Sequence, residues 1–266
     1  MKRIAFTRTI CLLLALALTL PVLTVNSSAN ECSKNWYFIK KGNSTPDFPK
    51  DADFLSEHSC YFIDSSDKGQ NEKLIYLTFD AGYENGNIEK ILDILKEKQV
   101  PAAFFILSNI IEKNTELVKR MADDGHIVAN HTKNHKDIST LSEEEAIANL
   151  AYLEELYNEK TGYTLSRFFR YPEGKYSKDR VLLLEKLGYK TIFWSMAHAD
   201  WDNNNQPSSK RALSKLMSFV HPGAVVLLHP TSRTNVEILS QFIDRLEEEG
   251  YTFGSLETLV SNMDSK

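Results

Sequence analysis

Short apolar runs alternate along residues 74–260 with segments whose apolar residues recur every three or four positions. The runs at 74–79, 102–107 and 224–229 predict buried strands, since a strand covered on both faces is apolar throughout. The segment at 87–98 predicts a helix, because its apolar residues fall on one face. This alternation of strands and helices indicates a parallel α/β sheet.

Caps and turn residues complete the pattern. Ser142 and Glu145 have the spacing of a capping box at the start of a long helix that ends near Gly162. Further strands are predicted at 126–130, 167–171, 189–195 and 251–253, and further helices at 115–124, 177–187, 209–220, 235–249 and from 255. About seven strand–helix units result, which fit either a closed barrel or an open doubly wound sheet.

Polar clusters stand at the ends of five predicted strands. They read TFDAG at 78–82, HTKNH at 131–135, RYPEG at 170–174, ADW at 199–201 and LLH at 227–229. Barrel enzymes build their active sites at the C-terminal ends of the strands, so this placement favours the barrel over the open sheet. The sequence has no glycine-rich nucleotide-binding motif. A single active site on one rim of the barrel is therefore expected.

The composition of the 266-residue chain, with 42% hydrophobic residues, allows one or two domains and a substantial core. The formal net charge is −5, and no basic run or stripe stands out. Nucleic acid is therefore not an expected partner.

The N-terminus has the features of a secretory signal peptide over residues 1–29. Lys2 and Arg3 precede an apolar stretch at 9–23, and small residues follow at 27–29. The stretch is shorter than the ~20 residues of a membrane span, and an uncleaved N-terminal anchor is the alternative. Either interpretation predicts that the rest of the chain acts outside the cytoplasmic membrane.

Residues 30–73 show no clear periodicity and carry scattered aromatic residues, so we expect an N-terminal extension that wraps the following catalytic domain at 74–262. Cys32 and Cys60 both fall within this extension. In an exported protein an even pair of cysteines suggests a disulfide. Two free or buried thiols are the equally weighted alternative.

His131 and His135 stand four residues apart, a spacing that lets two imidazoles face one metal ion. Thr132 occupies the place of the glutamate in the HExxH pattern, which excludes that peptidase mechanism. Two histidines alone are a weak signal and are often structural. The other polar clusters add weight to the metal-site interpretation.

Four further residues suggest acid–base chemistry. Asp80 ends an apolar strand and could draw a proton from water, while Arg170 could hold and orient it. His229 ends the most apolar strand, with Asp200 as a candidate partner. A turn carboxylate, a surface ion pair and a structural histidine are the corresponding structural alternatives.

Together these residues suit hydrolysis of an amide, in which a metal or a backbone amide stabilises the oxyanion and a histidine protonates the departing amine. Nucleophilic serine catalysis has no GxSxG motif here. A glycosidase could formally pair Asp80 with Glu84 or Glu173, but the two histidines would then be unexplained. Trp194 and Trp201 suit core packing, or stacking on sugars if they lie at the rim.

The five clusters, in this order over residues 74–260, resemble the polysaccharide deacetylases, the NodB-homology family of carbohydrate esterases (family 4). The longer form YLTFDAGYENG at 76–86, with NWYF at 35–38 upstream, is similar to the branch of delta-lactam-biosynthetic de-N-acetylases. That branch removes the acetyl group from N-acetylmuramic acid in peptidoglycan, after which the freed amine can close a muramic lactam, a mark of spore cortex. The resemblance implies a distorted (β/α)7 barrel of the NodB-homology fold, wrapped by the extension.

The resemblance also implies a role for each site residue. Asp80 would be the catalytic base and His229 the catalytic acid. Arg170 would tether Asp80, and Asp200 would set His229. The substrate would be bound by three further residues, namely Tyr171 through its backbone amide and Trp201 and Leu227 as the lining of the acetyl pocket.

His131 and His135 would bind a divalent metal, expected to be zinc. One position departs from the family pattern, because Ala81 stands where a second Asp usually completes the metal site, and alanine cannot ligate. Either the metal binds weakly with Asp80 or substrate filling in, or the histidines act on substrate with little metal, or the protein is a non-catalytic binder. The acid–base residues are all present, which favours an active enzyme.

We therefore expect an exported, cell-wall-associated hydrolase that de-N-acetylates muramic acid in peptidoglycan glycan strands, acting after a muramoyl amidase has removed stem peptides. Deacetylation of N-acetylglucosamine in peptidoglycan or chitin-type chains is the alternative in the same class. Non-catalytic binding of cell-wall glycan is the alternative in another class. Attachment to the membrane is expected only if the signal segment stays uncleaved.

Overall fold

The computed structural model describes residues 33–266, so the predicted signal segment and Cys32 lie outside the described residues. In chain order the strands are β1 (Lys34–Asn35), β2 (Ile39–Lys41), β3 (Ser44–Asp47), β4 (Cys60–Tyr61), β5 (Leu74–Ala81), β6 (Ala102–Ile106), β7 (Ile127–Asn130), β8 (Phe168–Phe169), β9 (Lys175–Tyr176), β10 (Lys190–Ile192), β11 (Met196–Ala197), β12 (Ala224–Leu228) and β13 (Thr252–Phe253). The helices are α1 (Ala52–Ser56), α2 (Asp67–Asn71), α3 (Ile88–Lys98), α4 (Ser108–Lys113), α5 (Thr115–Asp123), α6 (Glu143–Thr161), α7 (Lys178–Lys186), α8 (Ser209–Met217), α9 (Arg233–Glu248) and α10 (Leu256–Asp264). Single 3-10 turns occupy Ile138–Thr140 and Pro172–Gly174.

A curled sheet of nine strands forms the centre of the molecule, in the order β11-β12-β5-β6-β7-β8-β10-β4, with β13 paired to the first residues of β5. All of these pairings are parallel. Ile63, just after β4, bridges to Ala224 at the start of β12, and the Asp64 N–H donates to the Gly223 carbonyl at 2.8 Å. These contacts bring the two ends of the sheet together, which confirms the predicted distorted barrel.

Every strand and helix predicted from residue 74 onward is present. Seven of the eight residues of β5 are buried, as expected for a strand with neighbours on both edges and cover on both faces. The capping box forms as predicted, since Ser142 Oγ accepts from the Glu145 N–H at 3.2 Å and the Glu145 carboxylate accepts from the Ser142 N–H at 2.9 Å. Gly162 follows the helix in the left-handed conformation, with φ of 78°.

The extension packs against the barrel instead of folding separately. Its strand β4 joins the central sheet beside β10, and β1 pairs with β9. The side-chain amide of Asn43, in the turn between β2 and β3, donates to the carbonyls of Met217 and Val220 at 2.9 and 3.2 Å. The division of the chain at residues 73 and 74 stays a prediction.

Cys60 is buried and has no disulfide partner among the described residues. Its Sγ donates to the His58 carbonyl at 3.2 Å, and burial raises the pKa of the thiol to about 12. Across residues 33–266, no helix combines the length and hydrophobicity that a bilayer span requires.

Candidate active site

A cavity of about 570 Å³ opens at the C-terminal ends of the strands. Each of the five predicted clusters contributes to its wall. The lining residues are Asp80, His135, Glu173, Trp194, Ala197, His198, Trp201, Leu227 and His229. The polar clusters therefore converge on one site because parallel strands end on the same rim.

Asp80, near the end of β5, is held by an arginine. Its Oδ1 accepts from Arg170 Nη1 at 2.8 Å. Arg170 is fully buried, and its remaining N–H groups donate to the carbonyls of Ile192 and Phe193 at 3.0 and 3.4 Å. Burial alone would raise the pKa of Asp80, but the charge of Arg170, with smaller effects of the nearby histidines, lowers it below the ordinary value. The carboxylate is therefore ionised at neutral pH.

His131 follows β7 and lies against the same pair. Its Nδ1–H donates to the Arg170 carbonyl at 2.9 Å, which leaves Nε2 unprotonated in the neutral ring. Nε2 is buried without a hydrogen-bond partner in the described part of the chain, and it lies 3.4 Å from Asp80 Oδ2. Burial lowers the pKa of His131 to about 4, so the ring is neutral at physiological pH.

His135 completes the histidine pair on a loop, not on a helix. Its backbone is left-handed, with φ of 61°, and its ring meets His131 edge to face with 5.0 Å between centroids. Burial lowers the pKa of His135 as well. Both imidazoles are therefore available in the neutral form that metals bind.

The ligand set for a metal is incomplete. His131 Nε2 and Asp80 Oδ2 are two acceptors that face each other with no donor between them, an arrangement that a cation would satisfy. Ala81 is fully buried in the hydrophobic core and offers no ligand. Within residues 33–266, no group of three or more His, Cys, Asp or Glu side chains converges on a metal position. His131 and Asp80 therefore offer acceptors that suit a cation, but the described residues provide no complete set of ligands.

His229 and Asp200 form a second charged pair across the cavity. His229 Nδ1–H donates to Asp200 Oδ1 at 2.8 Å, and the His229 backbone N–H donates to Asp200 Oδ2 at 2.8 Å. The His229 side chain is 26% exposed, whereas Asp200 is buried. Burial alone would lower the pKa of His229, but the hydrogen bond and charge of Asp200 outweigh it and raise that pKa. His229 therefore keeps its proton to higher pH than an ordinary histidine.

Asn235 supports this pair and was missed by the sequence reasoning. Its side-chain amide donates to Asp200 Oδ2 at 2.6 Å and to the His229 carbonyl at 3.0 Å. Its Oδ1 accepts from His198 Nε2–H at 2.9 Å. Asn235 lies in the first turn of α9, where the Ser232 side chain accepts its backbone N–H at 3.1 Å. That cap spacing was the one local signal, and it does not point to a site.

The residues predicted to bind substrate divide into two groups. Trp201, 63% exposed, and Leu227 line the cavity as expected. The Tyr171 ring is buried against Phe169 and Phe193, with centroids 4.9 and 5.8 Å away, so only its backbone remains for a substrate.

Gly174 shapes the wall beside Tyr171. Its φ is 68°, and a Cβ there would lie 3.0 Å from both Trp194 and Trp36. A side chain at this position would therefore crowd both tryptophans, and glycine lets Trp36 of the extension pack closely against this turn.

Three comparisons relate the chain to known proteins. Residues 67–192 match the family model for polysaccharide deacetylase. The peptidoglycan-N-acetylmuramic acid deacetylase PdaA of Bacillus subtilis is 39% identical over 228 residues, which are 85% of this chain and 85% of PdaA. The solved structure of PdaA, a family 4 carbohydrate esterase, matches with a TM-score of 0.81 and 37% identity over 87% of this chain and 98% of that one.

Two further relatives differ from PdaA in their described function. A peptidoglycan-N-acetylglucosamine deacetylase of Bacillus cereus is 30% identical over 71% of this chain and 69% of its own. BA3943 of Bacillus anthracis, a CE4 family pseudoenzyme, matches with a TM-score of 0.66 and 29% identity over 75% of this chain and 68% of that one. A mutant of that pseudoenzyme with restored enzymatic activity also matches this chain.

Proposed function

We propose that this chain, which belongs to the polysaccharide deacetylase family of hydrolases acting on N-acetyl amide bonds, removes the acetyl group from N-acetylmuramic acid in peptidoglycan. One observation carries the proposal: an arginine-held carboxylate, Asp80, and a carboxylate-backed histidine, His229, line the same cavity. The choice of sugar rests on similarity, since identity to the muramic acid deacetylase is 39% over 85% of the chain and identity to the glucosamine deacetylase is 30% over 71%.

In the proposed reaction Asp80 accepts a proton from water while the water oxygen bonds to the acetyl carbon. The oxyanion that forms accepts a hydrogen bond from the backbone N–H of Tyr171. His229 then gives its proton to the amide nitrogen, and the C–N bond breaks to leave acetate and a free amine. Arg170 keeps Asp80 ionised and oriented, and Asp200 does the same for the protonated His229.

Members of this family generally use a divalent metal. Here His131 and His135 would hold a divalent cation, which we take to be zinc, and the cation would polarise the acetyl carbonyl. The unpartnered Nε2 of His131 supports this assignment. Because Ala81 leaves the site short of a ligand, we propose that the metal binds weakly.

The place of action is part of the same proposal. Residues 1–29 would direct export, and residues 74–262 would act as the catalytic domain on the cell wall. The substrate would be strands from which an amidase has removed stem peptides, so that the freed amine can close a muramic delta-lactam of the kind found in spore cortex. Trp201 and Leu227 would receive the acetyl methyl group, since both line the cavity.

Ala81, together with the similarity to a pseudoenzyme, favours one other candidate, a protein that binds cell-wall glycan without catalysis. The deciding experiment is acetate release from purified glycan strands freed of stem peptides, with metal-depleted and zinc-supplied protein, followed by mass spectrometry of the sugars. Loss of acetyl groups from muramic acid, absent in the Asp80→Asn variant, is the expected result. Loss from glucosamine would overturn the choice of sugar. Strand binding with no acetate release in either condition would establish the non-catalytic candidate.

A further inference from the structure

We propose that Trp36, in the NWYF motif of the extension, is a positioning residue for the proposed base Asp80 and acts on it through Arg170. The inference rests on the proposed function, because the role of Asp80 comes from it. Trp36 is not among the residues that line the cavity, so its effect is on the place of the guanidinium that binds the base. The extension thereby contributes to the rate of acetate release in addition to packing.

A run of three residues, called the arginine support, links the extension to Arg170. It consists of Ile192, Phe193 and Trp194. The Arg170 guanidinium donates to the first two of their carbonyls at 3.0 and 3.4 Å. The Trp36 indole N–H donates to the third carbonyl at 2.8 Å. The guanidinium that binds the proposed base is therefore anchored on a segment that Trp36 holds.

The arginine support depends on such contacts because it lies where the sheet ladder ends. β10 ends within the support, and the chain then crosses to β11, which lies at the far end of the strand order. The Phe193 N–H still donates to the Tyr61 carbonyl of the extension at 2.8 Å. A partly buried carbonyl outside the ladder needs a donor from elsewhere, and Trp36 supplies one to Trp194. The extension therefore sets where the arginine support lies.

The Trp36 ring contacts the arginine support as well as bonding to it. The side chain is 4% exposed, and its ring stacks on Phe193 with 4.7 Å between centroids. On the extension it meets Phe48 and Phe62 at 5.7 and 4.8 Å. The indole is therefore packed between the aromatic side chains of the extension and the support, and this packing directs its N–H.

The backbone of Trp36 is held independently of its indole. The preceding strand β1 pairs antiparallel with β9, where Asn35 lies opposite Lys175. The Trp36 N–H then donates to the Gly174 carbonyl at 2.8 Å. These backbone contacts do not involve the indole N–H, so a substitution of the side chain can remove the bond to the arginine support and leave the pairing of the extension in place.

Trp36→Phe is the deciding variant, because it keeps an aromatic ring and the backbone contacts but removes the indole N–H. With peptide-free glycan strands, kcat should fall about tenfold, since a small displacement of a catalytic group lowers the rate. KM should stay within about twofold of wild type, because the cavity lining is unchanged. The matched control is Phe48→Leu, which loosens the packing around the Trp36 ring and keeps the indole donor. Its kcat should stay within about twofold of wild type.

Hydrogen exchange measured by mass spectrometry follows the arginine support without any turnover. In Trp36→Phe, the peptides that contain the support should exchange faster than in wild type and in Phe48→Leu. An unchanged kcat in Trp36→Phe, or an equal fall in Phe48→Leu, would overturn the positioning role. If the wild-type protein released no acetate, the proposed activity would fail by itself, and exchange would decide the inference. Faster exchange in Trp36→Phe alone would uphold Trp36 as the residue that holds the support, and equal exchange in all three proteins would overturn it.

Discussion

The two sides of the active-site cavity each present a histidine whose Nδ1–H donates to an oxygen, yet the two histidines have opposite pKa shifts. One side, called the base side here, holds Asp80, the proposed base, with Arg170 and His131. There His131 donates to a backbone carbonyl, and burial lowers its pKa to about 4. The other side, called the acid side, holds His229, the proposed acid, with Asp200. There His229 donates to the Asp200 carboxylate, which raises the pKa of His229. Burial disfavours the charged ring at both histidines. At His229 the hydrogen bond and charge of Asp200 outweigh burial, whereas at His131 the charge of Asp80 does not.

The two sides also differ in how they are held. The base side depends on Arg170, a fully buried guanidinium that binds Asp80 and two backbone carbonyls. The acid side depends on Asp200, which is fixed by Asn235 and by the His229 backbone. The Arg170 side chain is 0% exposed and that of Asp80 is 9% exposed, whereas the His229 side chain is 26% exposed. Substitutions made on one side at a time test whether the two sides have the distinct roles proposed here.

Asp80→Asn should have the largest effect. The amide cannot accept a proton from water, so acetate release from peptide-free strands should fall about 10⁴-fold. Strand binding, measured by co-sedimentation, should persist because the shape of the side chain is kept. Acetate release within tenfold of wild type would show that Asp80 is not the base.

Arg170→Lys should act on the same side with a smaller effect on rate and a large effect on stability. A lysine cannot replace the three hydrogen-bonded contacts of the guanidinium, so we expect about a 100-fold loss of activity and a fall of about 3 kcal/mol in the free energy of unfolding. Chemical denaturation measures the second quantity. Arg167→Lys is the matched control, because Arg167 is exposed and pairs with Glu154 at the surface. Equal stability of the two variants would contradict a structural role for Arg170.

Asn235→Ala should lower kcat about tenfold and leave KM unchanged. Asp200 would lose one of the groups that hold it in place beside His229. The pH above which activity declines should also move lower, since a displaced Asp200 supports the charge of His229 less well. Arg233→Ala, on the same turn of α9 but highly exposed, provides the control. Identical pH profiles for Asn235→Ala and Arg233→Ala would show that Asn235 does not support the Asp200–His229 pair.

The smallest effect on the fold should follow removal of His135, whose proposed role is to hold a metal. His135→Ala is expected to weaken zinc binding about tenfold in titration calorimetry while leaving the unfolding midpoint of the metal-free protein unchanged. An unaltered zinc affinity would mean that the metal, if bound, lies elsewhere.

The sequence predicted the barrel because alternating apolar runs and amphipathic helices report directly on burial. The prediction was less accurate for elements whose bounds depend on tertiary contacts. The predicted strand at 167–171 pairs only over Phe168–Phe169, because a 3-10 turn begins at Pro172, which also lacks an N–H for the ladder. Helix α4 was missed because it follows β6 directly, and Leu107 at its N-cap makes no side-chain hydrogen bond.

The site could be predicted as far as its residues lie at strand ends. Asp80, Arg170 and His229 were found because each follows an apolar strand in a polar cluster. Asn235 was not, since it sits inside a helix and meets Asp200 only through the packing of α9.

The pH dependence of acetate release, compared between wild type and Asp200→Asn, tests the central claim most directly. His229 acts in its protonated form, and its pKa is raised, so activity should persist above the ordinary histidine pKa of about 6.5 and be lost as pH rises through the raised value. In Asp200→Asn the charge that raises the pKa is gone while burial remains, so the decline should begin at lower pH. An alkaline decline at the same pH in both proteins, or acetate release that rises steadily with pH, would contradict the assignment of His229 as the acid.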